Sequence, residues 1–393
     1  MTSDPTRRRA ARDPRPVTRR RSVQVLALAV AAALLVGLAA CTGSPTGDSD
    51  ATVDAKPVIY PLSLRYRGIE TVSDVPYGGD RLQQLDVCLP VGASGGRPTG
   101  TATDAARDRA DANASDSADT GASADASADT SSAAGASTST AAPDAPTGSA
   151  EPDATPTAQG TRAAIMMIHG GSWSHGDKAT AAYHSVCQYL ASEGFVVFNV
   201  DYRLAPTDPF PAGLDDVRRA LDWVFRASTL DTYDVDRDRV GVFGGSAGGN
   251  LASLLALEDH GSASYAAGDR IRAVAELSGP ADLTAASTAA DGVTEGFQRT
   301  QLLYLNCPNY ADCPAARRAS PMYKVTATTP PFFIGQSTHE FIPAWESQRF
   351  AERLRGHDVP VTLVMVRGSA HSIAQLDQAM SERVAGWFRA RLR

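Results

Sequence analysis

From residue 161 onward, short runs of uninterrupted apolar residues alternate with longer stretches patterned as amphipathic or capped helices, and few architectures accommodate that order. The runs are Ile165–Ile168, Phe195–Val200, Val240–Phe243, Ala273–Leu277, Phe332–Gly335 and Val361–Val366. The helical stretches are Ala181–Ser192, Gly213–Arg226, Gly248–Glu258, Glu346–Arg355 and Ser372–Arg389. A strand that is apolar at every position is buried on both faces, which happens in a mostly parallel sheet with helices on both sides. The pattern therefore predicts an α/β fold. Ligands meet such sheets at the C-terminal ends of the strands, so chemistry is expected in the residues that follow each run.

Two segments stand outside this pattern. Residues 92–160 contain no Leu, Ile, Val, Met, Phe, Tyr, Trp, Cys or Lys, so they lack the apolar surface to offset the entropy of ordering, and a disordered insertion is expected there. It lies between Leu82–Leu89, which alternates like a strand, and the continuous apolar stretch Ala163–His169, so the two are expected as neighbours joined by an overgrown hairpin turn. The second segment is the N-terminus, where Arg19, Arg20 and Arg21 precede an apolar run from Val23 to Ala40 that closes on Leu38-Ala39-Ala40-Cys41. That order of basic, apolar and small residues is an export signal and resembles that of bacterial lipoproteins, which implies lipidation of Cys41 and anchorage on the outer face of the cytoplasmic membrane. The run is also just long enough for a single transmembrane anchor. The chain is thus expected as a signal peptide over 1–41, a flexible tether over 42–56 and a single domain over 57–393.

Charge and cysteines narrow the function classes. Eight Arg against two Asp in residues 1–22 give +6, and three Arg against ten acids in 92–160 give −7, so of the total of −7 the remainder carries −6. A mildly acidic body without a basic patch argues against nucleic-acid binding. Outside the cytoplasm the four cysteines other than Cys41 form an even set with three connectivities, of which Cys307 with Cys313 and Cys88 with Cys187 is favoured by the short spacing of the first pair. No spacing of Cys or His resembles a metal site.

Three strand exits carry candidate chemistry. After Val240–Phe243 comes Gly244-Gly245-Ser246-Ala247-Gly248-Gly249-Asn250, a G-x-S-x-G turn between a strand and an apolar helix, which exposes a serine nucleophile on a sharp bend. Gly92-Ala93-Ser94-Gly95-Gly96 matches the same signature but has no strand or helix to hold its Ser. Two glycines at the start of a helix each cost up to about 1 kcal/mol, which points to a close backbone approach at Gly248 and Gly249. His169-Gly170-Gly171-Ser172-Trp173 follows another strand, where backbone N–H groups of Gly171 and Ser172, with that of Ala247, can face a developing oxyanion. His169 reads as a structural hydrogen-bonding residue, and Trp173 as a wall of the substrate pocket, with a packing role as the alternative. His371, after the last strand, is the candidate base.

With these residues in place, the chain from about Val72 to Arg393, without the insertion, resembles the α/β-hydrolase carboxylesterases of the hormone-sensitive-lipase-like and feruloyl-esterase-like groups. The matching stretches are Leu85–Pro90, His169–Trp173 with Gly176–Lys178, Asp201–Pro206 with Phe210–Ala212, Gly244–Asn250, Ala319–Pro321 and Gly368–His371. The resemblance implies an α/β-hydrolase fold with a small cap region and a Ser–acid–His triad that needs no cofactor and no metal. Two positions depart from the family. Ser172 stands where a third glycine is common, and His339 where the triad acid is usually Asp. Glu340, one residue on and 31 before His371, is the expected acid, with Asp282 after the strand ending at Leu277 as the alternative.

A small-molecule ester of small or medium size is the expected substrate, since nothing resembles a long apolar lid. Its pocket walls are expected from Thr284–Lys324, stiffened by the Cys307–Cys313 clip. An amidase, arylformamidase or peptidase on the same fold stays open, as does an inactive surface-binding protein on a hydrolase scaffold.

Overall fold

A computed structural model describes residues 49–93, 161–259, 270–288 and 293–393. The signal at 1–41 with Cys41, and the 92–160 insertion apart from Gly92 and Ala93, lie outside the described residues.

The strands are β1 (Ala51–Asp54), β2 (Glu70–Pro76), β3 (Gln84–Leu89), β4 (Arg162–Ile168), β5 (Val196–Val200), β6 (Val235–Gly245), β7 (Ala273–Leu277), β8 (Phe332–Ser337) and β9 (Val361–Arg367). They form one sheet in the order β1-β9-β8-β7-β6-β4-β5-β3-β2. Pairing is parallel except where β3 meets β2 and β5. All six runs expected as strands are strands, because residues apolar at every position have two faces to bury. Ala164, Met166 and Ile168 of β4 enter the core on one side of the sheet. Ala163, Ile165 and Met167 enter the core on the other.

Helices cover both faces. On the first lie α3 (Ala212–Val224), α5 (Ala247–Leu257) and α9 (Ala344–Arg355), and on the second α2 (Ala181–Ser192) and α10 (Gln378–Arg391). Helices α1 (Tyr60–Ser63), α4 (Ala227–Tyr233), α6 (Ala285–Thr288), α7 (Glu295–Leu305) and α8 (Pro314–Arg318) complete the described α-helices, the last three within the expected cap segment Thr284–Lys324. The stretch Ser372–Arg389, expected as one helix, is a 3-10 turn over Ser372–Gln375 followed by α10. Asp377 causes the break, since its carboxylate accepts from Met380 N and starts a new helix.

Two expectations about the N-terminal half are corrected. β3 and β4 are not hairpin neighbours, because β5 lies between them. The β4-α2-β5 crossover lays β5 parallel along β4, and β3 then pairs with the far edge of β5. Residues 42–56 are not all tether. Ala51–Asp54 pairs in parallel with Val364–Arg367, Asp50 accepts from Leu363 N at 2.8 Å, and Asp54 bonds Arg367 at 2.9 Å. Both expected disulfides are present, Cys88–Cys187 tying β3 to α2 and Cys307–Cys313 closing the loop after α7.

Candidate active site

The nucleophile candidate sits where β6 turns into α5. Ser246 has φ +56°, a backbone that L-residues avoid, and its N–H donates to Leu277 O at 2.8 Å across the neighbouring strand. The bend is possible because of its glycines. A Cβ on Gly244 would come within 2.2 Å of Gly248 O, and one on Gly248 within 2.1 Å of Ile168 O, so strand and helix touch backbone to backbone. This close approach is what the unfavourable helix propensity of Gly248 anticipates.

His371 follows β9 and reaches Ser246, its Nε2 lying 2.8 Å from Oγ. On the other side its Nδ1 meets Glu340 Oε2. Bonding on both sides fits Nδ1–H donating to the carboxylate and the serine hydroxyl donating to Nε2. Glu340 side-chain exposure is 1%, and its second oxygen accepts from Ser278 Oγ at 2.7 Å, Gln336 Nε2 at 2.7 Å and Ser337 N at 3.2 Å. No sequence pattern points to Ser278, Gln336 or Ser337. Ser278 stands directly after β7, where strand-exit residues merit scrutiny, but nothing in its sequence context marks it. It has φ +55°, and its Oγ also accepts from Ser372 N and Gln375 Nε2. One hydroxyl thus joins the acid to the segment carrying His371.

Asp282, the alternative acid, is not at the imidazole. Its Oδ1 accepts from Thr284 N and Oγ1, and its Oδ2 from Tyr323 OH at 3.0 Å. By residue 282 the chain has passed the turn at Ser278 and reached the Pro321–Tyr323 turn of the cap segment.

The loop after β4 lies against the nucleophile bend. A Cβ on Gly170 would meet Gly245 O at 2.7 Å and Ser246 Cβ at 3.2 Å. Gly170 N is engaged, donating to Tyr183 OH at 2.7 Å, while Gly171 O accepts from Ser174 N and His175 N. Gly171, Ser172 and Trp173 all have positive φ, at 129°, 55° and 57°. A Cβ on Gly171 would fall 1.9 Å from His175 O, so this position requires glycine, whereas Ser172 takes the left-handed conformation despite its side chain. Ala247 opens α5, and the N–H at a helix start has no acceptor within its own helix. The residues expected at an oxyanion site, Gly171, Ser172 and Ala247, thus come from the loop after β4 and the start of α5, which meet beside Ser246.

His169 holds this loop rather than reacting. It is buried, stacks on Tyr202 at 4.4 Å, and bonds Gly170 O through Nδ1 at 2.8 Å. Burial pushes its imidazole down to about 4, so it is neutral at physiological pH. At the far end of the loop Lys178 is buried, with Nζ bonded to Asp74 at 2.6 Å and near Asp86 at 3.1 Å, while its N–H donates to Asp201 at 2.6 Å.

Trp173, expected as a pocket wall, is 1% exposed and packs instead. Its indole stacks on Tyr304 of α7 at 4.3 Å and donates to Asn250 Oδ1 at 3.3 Å. The left-handed backbone at Ser172 and Trp173 turns the ring inward, where it anchors the cap segment to the loop. The aromatic ring left open beside the triad is Phe341, 38% exposed, with its centroid 4.3 Å from that of His371 and 5.2 Å from that of Phe297. Among the described residues no cluster of three or more His, Cys, Asp or Glu is arranged to hold a metal ion.

Residues 154–354, just over half of the chain, match the BD-FAE family. The chain is 28% identical over 232 residues to the probable carboxylic ester hydrolase LipM of Mycobacterium tuberculosis, 58% of this chain and 53% of that protein. It is 44% identical over 96 residues to arylacetamide deacetylase of Oryctolagus cuniculus, 24% of each chain. It therefore spans about half or less of the length of these curated relatives. Among solved structures, EstE1, a thermostable carboxylesterase cloned from a metagenomic library, superposes with a TM-score of 0.50 at 26% identity, covering 60% of this chain and 81% of that one. A truncated carbohydrate esterase from gut microbiota superposes with a TM-score of 0.58 at 16% identity over 84% of this chain and 98% of that one, a likeness of fold. The architecture is the α/β-hydrolase fold.

Proposed function

The chain belongs to the BD-FAE family, and from that premise we propose that it is a serine carboxylesterase acting on small or medium acyl esters through an acyl-enzyme on Ser246. The observation that carries this reading is the unbroken relay from Ser246 Oγ through His371 to Glu340.

In the proposed reaction Ser246 Oγ attacks the ester carbonyl while His371 Nε2 takes its proton. Glu340 fixes the tautomer and stabilises the imidazolium. The tetrahedral oxyanion is bound by N–H groups of Gly171 or Ser172 and of Ala247, each contributing about 2.7–4 kcal/mol by analogy with measured losses. His371 then protonates the leaving alcohol, water repeats the sequence on the acyl-enzyme, and the carboxylic acid leaves. Export and lipid attachment at Cys41 belong to the same proposal, which the two disulfides support as bonds suited to an oxidising compartment.

The test is a panel of fluorogenic acetate, butyrate and longer acyl esters beside matched amides, run on the wild type and on Ser246→Ala. Turnover of short esters that the substitution abolishes is expected. Faster turnover of the amides, or ester turnover that survives Ser246→Ala, overturns the proposal.

A further inference from the structure

Glu276, on β7 behind the triad, takes no part in the reaction just described, yet its surroundings are unusual for a carboxyl group. It is 1% exposed. Its Oε2 accepts a single hydrogen bond, from Gly279 N at 2.6 Å, and its Oε1 has no hydrogen-bond partner among the described residues. Backbone closes over it, since a Cβ on Gly249 of α5 would lie 3.3 Å from Oε2 and one on Gly279 2.7 Å from it. A buried carboxylate with one donor and an orphan oxygen is costly, and proteins avoid the cost by keeping the proton. The charged groups that act on Glu276 have the same sign. They are Glu340 and Glu346, while the facing residues on β6, β8 and α5 are Gly244, Ile334 and Gly249. Against the one donor of Glu276, Glu340 has three donors on one oxygen and an imidazole on the other.

The single bond of Glu276 falls on a turn that matters. Gly279 follows Ser278, whose positive φ aims its hydroxyl at Glu340 Oε1, Ser372 N and Gln375 Nε2. Resting on the esterase reading above, we propose that Glu276 is a positioning residue of the triad, a buried neutral carboxyl that braces the turn holding Ser278 and thereby sets the seat of Glu340 and His371. Loss of its proton puts a second negative charge into a dry site beside Glu340. Water or a displaced Gly279 must then compensate, and the turn loosens. Burial raises the ionisation of Glu276 to about 8, opposed by the Gly279 N–H, so the loosening falls within the working range of a hydrolase.

The experiment is the pH profile of kcat and KM for p-nitrophenyl butyrate on the full chain, corrected for spontaneous hydrolysis, beside the rate of fluorophosphonate labelling. Wild type is expected to lose about 25-fold in kcat/KM between pH 7.5 and 9.5, as a single ionisation near 8 requires. Glu276→Gln, whose amide oxygen still accepts from Gly279 N and which cannot ionise, keeps its own pH 7.5 rate to pH 9.5 within about twofold. Glu276→Ala has lost the brace, and its kcat is reduced at every pH with KM little changed. Glu346→Gln, which removes the other carboxyl that burial raises, retains the alkaline fall. A flat wild-type profile, a fall that persists in Glu276→Gln, or a fall removed by Glu346→Gln overturns the proposal. So does a Glu276→Ala variant as active as Glu276→Gln. Should Glu276→Ala fail to fold, the Glu276→Gln profile decides alone. Labelling at Ser246 with an unmoved profile defeats this inference only, whereas absence of both turnover and labelling defeats the esterase reading on which it rests.

Discussion

Held between Ser246 Oγ and Glu340, the imidazole of His371 has one nitrogen for each task, and replacing Glu340 by its amide disrupts the pairing without emptying the space. Glu340→Gln presents a donor where Nδ1–H needs an acceptor, and the expected cost in kcat is about 10⁴-fold, as when a triad acid becomes its amide elsewhere. Asp282→Asn, whose partners are Thr284 and Tyr323, is expected to change kcat/KM by no more than about threefold. Steady-state kinetics on the two variants separate the acids, and equal losses would contradict the assignment. The sequence made Ser246, the loop at Gly171 and His371 legible, because a strand exit with glycines at fixed offsets is a local pattern. It left the acid between two residues, since Glu340 and Asp282 both follow strands and only their distance from the imidazole distinguishes them. Ser278 and Glu276 were illegible for a related reason. Each acts through contacts with residues distant in the chain, and no local pattern reports the burial that makes Glu276 neutral.

The six apolar strands were readable because burial on both faces leaves an uninterrupted run of residues, whereas β1 was not. Ala51–Asp54 has alternating half-buried and exposed positions and takes its place by pairing with β9, at the far end of the chain and the edge of the sheet. The hairpin expected between β3 and β4 failed on the same ground, since adjacency in a sheet depends on crossovers, and the α2 crossover inserts β5. β1 yields a prediction. A chain starting at Pro57 lacks the β1 ladder, the Asp54–Arg367 pair and the acceptor at Asp50, and should melt below one starting at Thr42. Each kcal/mol lost corresponds to roughly 2–4 °C for a domain of this size. Identical melting temperatures by calorimetry would make β1 dispensable.

At the scale of the molecule, burial disfavours the charged form of several ionisable groups, and their effects on stability have opposite signs. His169, lowered from 6.5 to about 4, contributes stability that is present above 6.5 and lost as pH falls toward 4. Glu276 and Glu346, each raised from 4.5 to about 8 by burial, contribute stability present below 4.5 and lost as pH rises to 8. Asp201, raised to about 6, acts like the glutamates over a lower window, from 3.8 to 6. Between pH 6.5 and 8 the two glutamates act without opposition from His169. The melting temperature is therefore expected to be lower at pH 8.5 than at 6.5, and the difference should shrink in Glu276→Gln. A melting temperature that rises over that interval would contradict this assignment of charge. All of these effects surround one claim, that the fold exists to present Ser246 as a nucleophile activated by His371. The most direct measurement of it is fluorophosphonate labelling of the full chain, with the adduct located by mass spectrometry. Rapid labelling at Ser246 alone, lost in His371→Ala, is the expected result, and a folded protein that takes no label, or takes it at another residue, would contradict that role.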